Sequence, residues 1–192
     1  MEKRHRVFIA INLPQDIKKV LAKYQEKFPE IPAKWVDINN LHITLEFLGD
    51  LTDIEIADVC KITNEIAKNH NSFSVDLNKV SYGPTELKEN KVPKFVWTKG
   101  DTSKDLLSLK SDLQKNLLEA VRFRPDGKNF SPHITLARIK EWEFRKMDLE
   151  EIPEINEDIN LMFTVESIEV MESELKKGGP QHTILESCPF ES

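Results

Sequence analysis

His42-Ile-Thr-Leu45 and His133-Ile-Thr-Leu136 are the same four residues, one copy in each half of the chain. Side chains alternate along an extended strand, so His and Thr, two positions apart, share one face while Ile and Leu share the other. Each copy therefore offers one imidazole beside one hydroxyl, with apolar neighbours to anchor the strand in a core. A strand held in that way is a rigid platform for chemistry. Recurrence of an uncommon residue in an identical setting reads as duplication rather than coincidence, and duplication predicts two similar lobes.

The surroundings of the two copies agree. Ahead of the first, the apolar run Val7-Phe-Ile-Ala-Ile11 closes at Asn12-Leu-Pro14 and reads as a buried strand and turn. A helix follows to Phe28, with Ile17, Val20, Leu21, Tyr24 and Phe28 at helical spacing and Pro29 and Pro32 beyond it. Trp35-Val36 reads as a short strand or loop edge, and Asn39-Asn40 turns the chain into the first motif strand, which stops at Gly49-Asp50. Ahead of the second copy, Phe95-Val-Trp97 is again a short strand. Asp101 or Thr102 then caps a helix with its stripe on Leu106, Leu109, Leu113 and Leu117, and a basic loop through Pro125-Asp-Gly127 leads to the second motif strand, whose Pro132 marks a strand start or an edge.

The remaining segments fill out the fold. Thr52 and Glu55 form a capping-box pattern for a helix to about Lys68, with Ile54, Val59, Ile62 and Ile66 among its apolar positions. Phe73 to Tyr82 alternates as a strand up to Gly83-Pro84, and the charged, aperiodic stretch from Glu86 to Lys94 reads as a solvated junction between the halves. Trp142 to Ile152 is helical or irregular, Met162 to Met171 reads as one strand, and Gly178-Gly179 turns into a last strand through Ile184 and Leu185. The expected fold class is α+β. One domain holds two pseudo-symmetric lobes, approximately 1–90 and 91–192 with terminal strands free to exchange, each a small mostly antiparallel sheet with outer helices around a central cleft.

Composition narrows the function. The chain has 192 residues, 39% hydrophobic and 31% charged, enough for a sizeable core without staples. No apolar run approaches the roughly 20 residues of a membrane helix, and Val7 to Ile11 is too short for a signal-peptide core, so a cytoplasmic protein is expected. Cys60 and Cys188 make neither a disulfide framework nor a metal pattern and read as core-filling thiols. A net charge of −6 argues against indiscriminate binding to long nucleic acid, yet Arg122, Arg124 and Lys128 before the second motif, with Arg138 and Lys140 in or after it, leave room for a local basic site.

Imidazole titrates near neutral pH, so two of them can serve one reaction as base and acid together. Hydroxyls bind anionic oxygen without adding charge. Facing His-x-Thr strands therefore suit in-line displacement at phosphorus, with one His on the entering oxygen, the other on the leaving oxygen and both Thr on the non-bridging oxygens. Arg138, five positions after His133, falls nominally on the opposite strand face, and a bulge would swing its guanidinium to the phosphate. Zinc is the chemical rival, but His5, His70 and His182 stand at no motif spacing to supply a third ligand. His182-Thr183 lacks the intervening residue and does not read as a third motif. Trp35, Trp97 and Trp142 read as packing anchors.

Phe8-Ile-Ala-Ile-Asn-Leu-Pro14, His42-Ile-Thr-Leu-Glu-Phe-Leu-Gly49 and Pro132-His-Ile-Thr-Leu-Ala-Arg138 together resemble the two-histidine (2H) phosphoesterases. Within them the chain is most similar to the RNA 2′,3′-cyclic phosphodiesterases, also called 2′-5′ RNA ligases, over nearly its whole length. The resemblance implies catalytic roles for His42 and His133, phosphate binding by Thr44, Thr135 and Arg138, and base stacking by Phe47. It further implies hydrolysis of 2′,3′-cyclic phosphate ends to 2′-phosphomonoesters with no metal or cofactor, with His42 as acid and His133 as base. RNA ends, tRNA halves among them, would be the partners of a monomer. The alternative reading is a non-catalytic binder of nucleotides or RNA ends, against which two intact histidines argue.

Overall fold

The computed structural model describes residues 2–84, 92–125 and 130–191. Most of the stretch expected as a junction between the halves, with Asp126, Gly127 and Lys128 of the basic loop, lies outside them. The described strands are β1 (His5–Asn12), β2 (Ala33–Trp35), β3 (His42–Leu51), β4 (Phe73–Gly83), β5 (Phe95–Gly100), β6 (His133–Ile139), β7 (Asn156–Val165), β8 (Ser167–Lys176) and β9 (Gly179–Pro189). They form two antiparallel sheets, ordered β3-β1-β8-β9 and β2-β6-β5-β4-β7. The fold is α+β as expected. β2 and β4 from the first half sit in the second sheet, while β8 and β9 from the second half complete the first. β3 and β6, the two motif strands, lie against each other where the sheets meet.

The segment read as one strand over Met162–Met171 is two strands of different sheets, and the chain crosses between them at Glu166. Phe163 and Val165 are buried, and so are Ile168 and Val170, so the inward parity changes across Glu166. Two strands that both face a core give an almost unbroken alternation, and only that change of phase marks the break.

The long first helix is likewise two, α1 (Gln15–Ala22) and α2 (Tyr24–Lys27). α3 (Asp53–Ala67) opens with the expected capping box: the Glu55 N–H donates to Thr52 Oγ1 at 3.3 Å and the Thr52 N–H to Glu55 Oε2 at 2.8 Å. Ile54 lies outside its apolar stripe, on the solvent side. α4 (Lys104–Ala120) is capped by Ser103, which accepts the Leu106 N–H at 3.1 Å, and not by Asp101 or Thr102. Both of those are engaged elsewhere. Asp101 accepts from Asn78 and donates its N–H to the Asp76 carbonyl, while Thr102 faces the Phe130 carbonyl. α5 (Glu141–Phe144) is a single turn. α3 and α4 pack together on the outside, α3 over β8 and β9 and α4 over β3. Leu106, Leu109, Leu113 and Leu117 of α4 are fully buried in the core beneath them.

Candidate active site

A backbone irregularity shared by both motif strands decides which side chains face the cleft. In β3, Thr44 pairs with Ala10 and Glu46 with Ile9, so Leu45 is one extra residue. In β6, Thr135 pairs with Trp97 and Ala137 with Val96, so Leu136 is the extra residue. Each bulge shifts the parity beyond it by one. Phe47 is 61% exposed as a result, and Arg138 is exposed as well, each five positions after its histidine and both lining the cleft. The parity argument that set Arg138 on the far face holds only for a regular strand.

A bulge frees a carbonyl from the ladder, and an unpaired buried carbonyl is costly. Lys110 of α4 donates to the Leu45 carbonyl at 2.6 Å, and the Val36 N–H beyond β2 donates to the Leu136 carbonyl at 2.9 Å. Glu46, two positions past Thr44 and so on the motif face of a regular strand, turns inward instead. It is 4% exposed and accepts from Lys110 at 3.0 Å and from Gln114 at 2.7 Å.

The two histidines are held alike. The Nδ1–H of His42 donates to the carbonyl of Asn40 at 2.6 Å, and that of His133 to the carbonyl of Ser131 at 2.9 Å, each two residues back. A carbonyl only accepts, so these bonds place the proton on Nδ1 and leave Nε2 as the reactive nitrogen. His42 Nε2 accepts from the Thr44 hydroxyl at 3.0 Å. Burial drives the pKa of His42 down to about 4; the Asn40 carbonyl opposes the shift, while His182, Lys18 and His133 add to it. The His42 ring rests 5.0 Å from that of Phe8, and the His133 ring 5.0 Å from that of Trp97.

One cavity of about 1240 Å³ is lined by His42, Thr44, Phe47, His133, Thr135 and Arg138, so all six residues singled out in the sequence come together. The Arg138 guanidinium also stands 5.0 Å over the Phe95 ring. Arg122 and Arg124 are exposed and absent from the lining, as is Lys140, which pairs with Glu143. Trp35 lines the cavity and Trp97 backs His133, whereas Trp142 is 73% exposed and is no packing anchor. Among the described residues, no three His, Cys, Asp or Glu side chains gather as a metal site requires.

Sequence reasoning passed over three contributors. His182 of β9 reaches the cleft because the β8–β9 hairpin folds over it. Asn40 pins the hairpin there, donating from Nδ2 to the Pro180 carbonyl at 2.8 Å and accepting the His182 N–H at 3.3 Å. Lys34, in register with Arg138 on β2, extends to the hairpin turn, where a Cβ added to Gly179 would lie 2.8 Å from its Nζ. The φ of +126° at Gly179 further reserves that position for glycine. Because β2 belongs to one sheet and Gly179 to the other, Lys34 brings the two sheets together at the cavity lining. None of these contacts is local in sequence, so none leaves a local pattern to read.

Two imidazoles with Nδ1 tied back and Nε2 unprotonated, two hydroxyls and a guanidinium around one cleft suit acid–base displacement at a phosphoryl group. This fold and this cleft define a phosphoesterase. The chain belongs to the LigT-like phosphoesterase family, whose model matches residues 11–93 and 96–181. It is 33% identical to an RNA 2′,3′-cyclic phosphodiesterase of Thermus thermophilus, covering 94% of this chain and 88% of that one. The Thermotoga maritima protein of the same name is 28% identical, covering 97% and 96%. A crystal structure of a Thermus thermophilus protein superposes with a TM-score of 0.79 at 31% identity, covering 97% of this chain and all of that one. Escherichia coli LigT complexed with 3′-AMP, at 23% identity and a TM-score of 0.77, shares the fold over 99% of this chain. No helix among the described residues is long and apolar enough to cross a membrane.

Proposed function

We propose that this chain is an RNA 2′,3′-cyclic phosphodiesterase that opens 2′,3′-cyclic phosphate ends to 2′-phosphomonoesters. The observation that carries the reading is the matched pair of histidines, each with Nδ1 tied to the carbonyl two residues back and Nε2 left to one shared cleft. The name borne by the relatives supports it.

In this reading Thr44, Thr135 and Arg138 hold the non-bridging oxygens. His133 Nε2 takes a proton from water as the new P–O bond forms, and His42 Nε2 gives a proton to the 3′ oxygen as the old bond breaks. His42 is neutral in the free protein, where its pKa is about 4. A bound phosphoryl anion favours its charged form, so binding itself arms the acid. Phe47 stacks on a base. No metal or cofactor takes part. With a 5′ hydroxyl in place of water, the same displacement forms a 2′-5′ linkage, and tRNA halves would be substrates for it. The reading also takes the chain as one domain, acting as a monomer in the cytoplasm.

Incubation with a nucleoside 2′,3′-cyclic phosphate, with the product followed by phosphorus NMR, tests the reading. A 2′-phosphate is expected. A 3′-phosphate would exchange the two histidine roles, and an intact cyclic phosphate that nevertheless binds would leave a nucleotide-binding protein of the same fold.

A further inference from the structure

All five histidines lie among the described residues, and four have a partner for a ring nitrogen. His5 stands between Glu172 and Asp53, His70 faces Asp112, and His42 and His133 are tied to carbonyls. His182 has no hydrogen bond from either ring nitrogen to a described residue. Its Nδ1 is buried, while Nε2 is the nitrogen left open.

The ring is nonetheless fixed. It meets the His42 ring edge-on at 5.0 Å, the planes 75° apart, and the Phe8 ring at 5.0 Å and 68°. The main chain is anchored through Asn40, so placement of the ring spends neither of its nitrogens. The enclosed Nδ1 has no partner among the described residues, so Nε2 is the ring nitrogen that can make a contact. With no acceptor beside the enclosed Nδ1, the proton of the neutral ring belongs on Nε2. Burial lowers the pKa of His182 and so favours that neutral form. The same cavity holds His42, Thr44, His133, Thr135 and Arg138. A neutral donor beside His42 can bind phosphoryl oxygen without repelling the imidazolium that the reaction requires.

We infer that His182 is a third substrate-contacting histidine, whose Nε2–H donates to a non-bridging oxygen of the phosphoryl group held beside His42. The inference rests on the phosphodiesterase reading for its substrate, but the contact is measurable without turnover. Calorimetry with inorganic phosphate and with a nucleoside 2′-phosphate is the experiment, run on the full chain and two variants. His182→Phe keeps the edge-on packing and removes the donor. His182→Gln carries an amide nitrogen to the place of Nε2.

The expected result is about tenfold weaker binding of both ligands in His182→Phe, the loss of one hydrogen bond to an anion, with affinity largely restored in His182→Gln. In the wild-type chain, inorganic phosphate should shift the ring nitrogen resonances of His182. Wild-type affinity in His182→Phe would overturn the inference and leave His182 serving an enclosed water only. Equal weakening in both variants would also overturn it, because it would mark a packing role. If the wild type binds phosphate through His182 yet leaves cyclic phosphate intact, the phosphodiesterase reading fails and this contact stands.

Discussion

Phe47 and Arg138 hold equivalent places in the two motif strands, each five positions past its histidine, beyond one bulge, and on the cleft side. One wall thus presents an aromatic face where the other presents a guanidinium. If they divide base and phosphate between them, their losses should differ in kind. Arg138→Ala is expected to lower kcat/KM on a cyclic phosphate by about 10² to 10³, the cost of a donor to developing charge. Phe47→Ala should raise KM about tenfold with kcat nearly unchanged. Steady-state kinetics distinguish the two, and a fall in kcat alone for Phe47→Ala would remove its stacking role.

His42→Ala and His133→Ala should each reduce turnover by about 10² to 10⁴ while leaving the circular dichroism spectrum intact. A variant that kept near wild-type kcat would refute the two-histidine mechanism.

The depressed pKa of His42 makes a prediction about stability. The unfolded chain takes up this proton near the ordinary value of 6.5 and the folded one only near 4. Between those values protons favour the unfolded state, so stability is fully present above pH 6.5 and declines as pH falls toward 4. The loss attributable to His42 is on the order of 3 kcal/mol at its limit. Urea unfolding at neutral pH and at about pH 5 should show a shallower dependence for His42→Asn than for the wild type. Equal slopes would place the acid sensitivity elsewhere.

Lys110 and Glu46 form a buried pair, 8% and 4% exposed, that also closes the carbonyl freed by the first bulge. Lys110→Ala leaves a buried carboxylate and a buried carbonyl without that partner. A loss of about 3 to 5 kcal/mol is expected in denaturant unfolding. Lys110→Met combined with Glu46→Gln should recover part of it, since the uncompensated charge is gone; a double variant no better than Lys110→Ala would argue against the ion pair as the cause.

Turnover should persist after exhaustive chelation, because the proposed chemistry is supplied by His42 and His133 alone. Loss of activity in EDTA, restored by zinc or manganese, would contradict it.

The motif strands, the helix that Thr52 caps and the Leu stripe of α4 were all legible in the sequence because each is a local pattern of period or cap. His42, Thr44, His133 and Thr135 follow from that pattern directly. Phe47 comes from the family resemblance, Arg138 from its spacing and a supposed bulge as well as the resemblance, and both stand against the parity of a regular strand. The conflict at Arg138 was informative: a guanidinium at an inward parity is the trace of the bulge at Leu136. The matching bulge at Leu45 left no such trace, since Glu46 outward and Phe47 inward look regular. His182 was illegible for a different reason. Its approach to His42 depends on how a hairpin folds over another strand, and no spacing along the chain encodes that. The change of sheet at Glu166 was recorded only as a slip in phase between Val165 and Ile168.

Lys34 reaches from β2 of one sheet to Gly179 at the hairpin turn of the other, and both residues line the cavity around His42 and His133. That side chain belongs to neither carbonyl bond that sets the two imidazoles. Shortening it to alanine would take a positive charge from the lining and leave the hydrogen bonds that hold His42 and His133 intact.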